Sequence, residues 1–124
     1  MTRKIVIIED NERNMKLFKA VLKILTDVQI FSAIDGDAGA DLIRTVEPDL
    51  VILDIYLPNK SGIDICTEFR KIDKFKDTPI LAVTSFAMKG DKERIMSAGF
   101  NEYISKPIKV VEFREIVKKY LSLT

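Results

Sequence analysis

The chain has no histidine and no tryptophan, and it has a single cysteine, Cys66. Without an imidazole there is no His-dependent catalytic triad, no intrinsic histidine phosphorelay and no Cys/His zinc site within the chain. One cysteine excludes an internal disulfide. Long apolar runs are also missing. The N-terminal run Ile5-Val-Ile-Ile8 has four residues, too few for a signal peptide or a membrane span. There is no polybasic run: Lys and Arg total 20 against 19 Asp and Glu, a net charge of +1, which argues against nucleic acid as a partner. What remains is ordinary globular composition, 47% hydrophobic and 31% charged over 124 residues. That is enough for one domain, 1–124, with a core that needs no staples. The expectation is a single-domain cytoplasmic protein that does not insert into membranes.

The chain is organised around Asp49-Leu-Val-Ile-Leu-Asp54-Ile-Tyr-Leu-Pro58. Leu50–Leu53 is apolar at every position, the pattern of a strand buried on both faces of a sheet, and Asp54 sits where that strand leaves the core. Lys4–Glu9 carries a second such run and ends in Glu9 and Asp10. Asn11 is a plausible N-cap for a helix to about Leu25, with Met15, Leu17, Phe18, Val21, Leu22, Ile24 and Leu25 on an apolar arc wider than one core stripe requires. Val28–Ile34 reads as a strand, Asp35-Gly-Asp37 as a turn, and Ala38–Val46 as a short helix with Leu42, Ile43 and Val46 inward. Ser61 caps a helix through Ile72, with Ile65, Phe69 and Ile72 inward, and Asp73–Thr78 is a charged connector. Ile80–Val83 is a strand ending at Thr84-Ser85. Lys89–Ala98 is a polar helix closed by Gly99. Glu102–Ser105 is a last strand, followed by Lys106-Pro107 and a helix over Val110–Leu121 with Phe113, Ile116, Val117, Tyr120 and Leu121 on one arc.

Five strands alternating with five helices imply right-handed βαβ units and a parallel sheet covered on both faces. The expected fold class is α/β, a doubly wound (βα)5, flavodoxin-like fold of strand order 2-1-3-4-5. That order sets strands 1 and 3 side by side where the winding reverses, so Glu9, Asp10 and Asp54 converge at their carboxyl ends. Taken singly, each acid reads as a turn or cap residue. Together, at the switch point of the sheet, they read as a site. Carboxylates this close repel unless a cation is present, and a hard oxygen set with open positions suits Mg²⁺. Thr84 and Lys106 follow two further strands on the same edge. A hydroxyl and an ammonium there suit a phosphoryl group on Asp54 beside the metal.

Glu9-Asp10, Asp54, Thr84 and Lys106-Pro107 resemble, in identity, order and spacing, the receiver domains of two-component response regulators. The likeness covers the whole chain. The segments Thr84–Asp91 and Tyr103–Ile108 are most similar to single-domain members that control the cell cycle and cell division. The resemblance implies that Asp54 accepts a phosphoryl group from a histidine kinase or a histidine phosphotransfer protein. It implies Mg²⁺ (or Mn²⁺) held by Glu9, Asp10, Asp54 and the backbone carbonyl of Tyr56. Thr84 and Lys106 would contact the phosphoryl oxygens, and Lys106-Pro107 would be a cis peptide. Tyr103 would turn inward as Thr84 moves, a two-state switch; the alternative is a half-buried strand residue with its hydroxyl in water. Many relatives have Asp where this chain has Glu9, which leaves direct or water-mediated ligation open. Tyr56 and Phe86, each two residues after a site residue, would set how fast the phosphate hydrolyses.

The resemblance implies a signalling module rather than an enzyme with a separate substrate. A Mg²⁺-dependent phosphohydrolase typically carries an acid/base Asp two residues after its nucleophile, and Tyr56 stands there. A flavin module would need a loop after the first strand suited to phosphate, and Glu9-Asp-Asn-Glu12 repels one. With the chain ending just after its last helix, output is expected through a surface to a downstream protein target. Candidate surfaces are the flank of the first helix at Met15 or Leu22, suited to docking the phosphohistidine donor, and the face built from Lys89–Ala98, Tyr103 and Val110–Leu121, with Val111 and the apolar loop Phe86-Ala-Met88.

Overall fold

The computed structural model describes residues 2–85 and 90–121. Five parallel strands, β1 (Arg3–Ile8), β2 (Val28–Ala33), β3 (Leu50–Asp54), β4 (Ile80–Thr84) and β5 (Glu102–Ser105), form one sheet of order β2-β1-β3-β4-β5. The helices are α1 (Glu12–Leu22), α2 (Gly36–Val46), α3 (Gly62–Arg70), α4 (Asp91–Ser97) and α5 (Val110–Tyr120), with a 3-10 turn at Asp73–Phe75. This is the expected doubly wound topology, with the β1/β3 switch point in place. Among the described residues no helix is long and apolar enough to cross a membrane.

Side-chain alternation along the strands splits the interior into two cores. Val6, Ile8, Val51 and Leu53 face α2 and α3 with Ile43, Ile65 and Phe69. Ile5, Ile7, Leu50 and Ile52 face the other layer with Phe18, Phe113 and Val117. Both faces of the central strands are therefore dry, which is why they read as continuous apolar runs. Cys66 belongs to the first core, and burial pushes its thiol up to about 11, so it packs rather than reacts.

Local capping explains most boundary differences. Asp35 accepts from the Ala38 N–H at 2.8 Å, which starts α2 two residues before the expected Ala38. Asn11 and Ser61 cap α1 and α3 as expected. α1 stops at Leu22 rather than Leu25, and α3 at Arg70 rather than Ile72, leaving Ile72 exposed. Part of the expected connector, Asp73–Phe75, is helical because Phe75 drops into the core and stacks edge-on against Phe69 at 5.1 Å. Lys89, the expected start of α4, lies outside the described residues.

The proposed docking flank of α1 needs correction. Met15 and Leu22 are buried, and the exposed apolar residues of that segment are Leu17 and Ile24. α5 covers the Met15/Leu22 edge, where Phe18 stacks on Phe113 at 5.4 Å. Val111 on α5 is exposed, as its place outside the apolar arc predicts.

Arg70 ties the lower edge of the sheet together. Its Nε donates to the Gly99 carbonyl at 2.9 Å, Nη1 to the carbonyls of Phe75 (3.0 Å) and Thr78 (2.6 Å), and Nη2 to Asn101 Oδ1 at 2.8 Å. The same Asn101 oxygen accepts from the Ile80 N–H. One guanidinium thus joins α3, the loop entering β4 and the loop entering β5. Arg70→Ala is expected to lower the unfolding free energy by about 2 kcal/mol, because several part-buried carbonyls lose a charged donor together. The measurement is a urea midpoint that falls at unchanged slope.

Candidate functional site

β1 and β3 each end in acid at the same edge. Glu9 is held by the neighbouring strand β2, since its N–H donates to the Ala33 carbonyl at 3.1 Å, and its Oε2 accepts from the Asn11 N–H at 3.0 Å. Asp54 ends β3, and its Oδ1 accepts from the Tyr56 N–H at 3.1 Å. The α3 N-terminus presses against this strand end. A Cβ on Gly62 would lie 2.2 Å from the Asp54 carbonyl oxygen, so only glycine lets the helix approach so closely. Glu9, Asp10 and Asp54 each bring a carboxylate oxygen within 4.8 Å of the others. Glu9 and Asp54 are buried, and Asp10 is exposed at the mouth.

Lys106 enters from the opposite side. Its N–H donates to the Thr84 carbonyl at 2.9 Å, extending the β4–β5 ladder by one bond, and this aims the side chain back over the sheet edge. Nζ donates to Asp54 Oδ2 at 2.8 Å and lies 2.5 Å from Glu9 Oε1. Toward Glu9 it is close without hydrogen-bond alignment. Among the described residues, Glu9 Oε1 has an ion partner and no hydrogen-bond donor. Lys106-Pro107 is cis.

The electrostatics follow from burial. Burial pushes the Glu9 carboxyl up to about 7, and the Asp54 charge adds to the rise, while Lys106 and the Asn11 N–H only partly offset it. Burial works against the Lys106 ammonium, but Asp54 and Glu9 outweigh it and hold its pKa above the usual lysine value. Glu9 fixes a pH dependence. Its folded pKa is raised, so its stabilising contribution is complete below about pH 4.5 and is lost as pH rises to about 7. For the metal-free protein this amounts to a loss on the order of 2–3 kcal/mol. Denaturant unfolding in a chelator at about pH 4.5 and pH 8 should show it, and Glu9→Gln should remove that part of the difference.

Asn11, Glu12, Asn14, Tyr56 and Ser85 complete the walls of the cleft around these acids and Lys106. Thr84 is fully buried at the end of β4, one residue short of the rim formed by Ser85. Tyr56 is half-exposed at the mouth. Tyr103 is half-buried on β5, packed against the first core and lining a separate groove with Pro107 and Phe113. Phe86 and Met88 lie outside the described residues. The site therefore gathers Glu9, Asp10, Asp54, Tyr56 and Lys106, keeps Thr84 just beneath the surface, and leaves Tyr103 apart from the acids. Sequence reading missed Ser85 and Gly62. The signals were the hydroxyl next to Thr84 and a glycine directly after the Ser61 cap.

The donor set fits a hard divalent cation. It consists of carboxylate oxygens, one of them a buried atom with no hydrogen-bond donor, with repulsion that a cation would relieve.

Known proteins resemble this chain. Residues 5–118 match the family model described as response regulator receiver domain. The chain is 42% identical over 121 residues to the polar-differentiation response regulator DivK of Brucella ovis, covering 98% of each chain, and equally so to DivK of Brucella anthropi. Among solved structures it is similar to the receiver domain of the sensor histidine kinase PA1611 from Pseudomonas aeruginosa, at 28% identity and a TM-score of 0.88 over 98% of this chain and 99% of that one. That structure carries a magnesium ion coordinated in its active site cleft. The BeF3-activated receiver domain of RstA from Klebsiella pneumoniae is 29% identical, with a TM-score of 0.86 over 95% of this chain and 97% of that one. With the family match running nearly end to end and a relative sharing more than two residues in five, this chain belongs to the response regulator receiver domain family.

Proposed function

We propose that the protein, as one receiver domain over 1–124, is a phosphoacceptor in two-component or phosphorelay signalling, with Asp54 as the acceptor. The observation that carries this reading is the setting of Asp54. It is a buried carboxylate bonded by Lys106 and lies within 4.8 Å of two further carboxylates at the switch point. A carboxylate oxygen of Asp54 forms the bond to phosphorus as the P–N bond of a donor phosphohistidine breaks, and the electron pair returns to the imidazole nitrogen. The donor is a histidine kinase or phosphotransfer protein, because this chain has no histidine of its own. Lys106, already against Asp54 Oδ2, balances charge on the incoming group. Thr84 offers its hydroxyl as β4's end adjusts, and Tyr103 follows as the switch residue.

Mg²⁺, when bound, would offset the negative charge of the phosphoryl oxygens. Asp10 and Asp54, with the Tyr56 carbonyl, would hold it, and Glu9 would join them directly or through water. The phosphorylated protein signals by contact with a downstream protein, for which exposed Val111 on α5 is a candidate. The likeness to DivK supports a place in cell-cycle or cell-division control. Incubation with acetyl phosphate and Mg²⁺, followed by peptide mapping, tests the reading. A single acyl phosphate on Asp54 supports it. Sustained turnover of a phosphoester, or a label elsewhere, overturns it.

A further inference from the structure

Tyr56 is anchored at both ends. Its backbone N–H is bonded to Asp54 Oδ1 at 3.1 Å. Its hydroxyl accepts from Arg94 Nη2, on α4, at 3.4 Å. The same Arg94 nitrogen lies 3.4 Å from Asp91 Oδ1, one turn earlier on that helix. The Tyr56 ring lines the same cleft as Asp54 and Lys106 and is 46% exposed. An aromatic so exposed has room for more than one rotamer. With its backbone fixed by Asp54, the contact at the hydroxyl is one restraint on the ring direction.

Resting on the assignment of Asp54 as phosphoacceptor, we infer that Arg94 is a positioning residue for loss of the phosphate: it holds the Tyr56 ring across the mouth of the cleft, where the ring obstructs the water that hydrolyses the acyl phosphate. In that hydrolysis a water oxygen bonds to phosphorus, the phosphorus–oxygen bond to Asp54 breaks, and inorganic phosphate leaves as Asp54 regains its carboxylate. Arg94 touches none of the reacting atoms. It acts through the ring, so that the position of α4 and the lifetime of the phosphate are coupled by one hydrogen bond.

The contact is long and half-exposed, so its effect is modest. Arg94→Ala is expected to shorten the phosphate lifetime about threefold, the scale of one ordinary hydrogen bond. Tyr56→Phe keeps the ring and removes its acceptor, and should shorten the lifetime by a similar factor. The double variant should be no faster than either single one, because both remove the same bond. Lifetimes are read after phosphodonor removal, with Mg²⁺ constant. A second readout needs no phosphorylation: the Tyr56 ring resonances in ¹³C-tyrosine-labelled protein should move in Arg94→Ala. Unmoved resonances, an unchanged lifetime or additive effects in the double variant each overturn the inference. Failure of the wild type to label at Asp54 instead defeats the phosphoacceptor assignment, and the resonance shift then still decides whether Arg94 holds the ring.

Discussion

Asp54→Asn abolishes labelling by a phosphodonor and leaves the fold intact. The substitution keeps the shape of the side chain and one carbonyl oxygen, so one of the two donors, the Tyr56 N–H or Lys106, retains its acceptor while the other meets the amide NH2. It removes the charge and the second nucleophilic oxygen, and an amide does not attack phosphorus at a useful rate. Stability should not suffer. The Asp54 charge is one of the factors that raise the Glu9 pKa, so its loss relieves a buried repulsion while Lys106 keeps Glu9 as an ion partner. The measurement pairs intact-mass detection of the acyl phosphate with a thermal melt of the same sample. Labelling that persists on another residue would sink the assignment of Asp54.

Lys106→Met should have the largest effect on stability. Glu9 and Asp54 are 1% and 7% exposed, and Lys106 is the cation between them. Removing one partner of a buried charge pair typically costs about 3–5 kcal/mol, because the charges left behind are uncompensated. Against a total of about 5–15 kcal/mol that is severe, and it corresponds to a melting temperature lower by roughly 10–20 °C. Two conditions should soften the loss. Acid does so because a protonated Glu9 no longer needs a counter-charge, and Glu9 already titrates at about 7 with Lys106 present. Mg²⁺ does so because it supplies positive charge to the same oxygens. The variant should therefore gain more melting temperature from Mg²⁺ than the wild type does. Equal gains, or an unchanged melt without metal, would show that the ammonium does not balance these carboxylates.

The topology and the acids were legible in the sequence for one reason. Strands buried on both faces show as unbroken apolar runs, and residues just beyond such runs must lie at the sheet edge. Asp54 and Glu9 were found that way, and Lys106 by its place after the short edge strand Glu102–Ser105. What the sequence could not show was which side of a wide apolar arc a neighbour would cover. On α1, Met15 and Leu22 lie on one edge and Leu17 on the other, roughly 150° away at the helical period, while Ile24 follows the end of the helix. Only the placement of α5, through Phe113, determines that the first edge is dry. Arg70 and Arg94 were equally hidden. A basic residue in the last turn of a helix reads as a solvated charge until the loops that meet it are known. Ile72 was read as inward because its spacing from Phe69 is helical, but α3 had already ended.

The Arg70 network has a mechanical side. It grips the Gly99 carbonyl just past the C-terminal end of α4. The opposite end of that helix begins at Gly90, whose φ of 91° is left-handed and whose cap makes no side-chain hydrogen bond. α4 is thus a lever clamped at its far end, with no side-chain cap at the end nearer the acids among the described residues and the Arg94–Tyr56 contact in between. Seven residues give an arm of roughly 10 Å, so a tilt of about 10° at the clamp would sweep the near end through roughly 2 Å. Whatever grips the outer face of this lever would feel, as a tilt, what happens at the sheet edge.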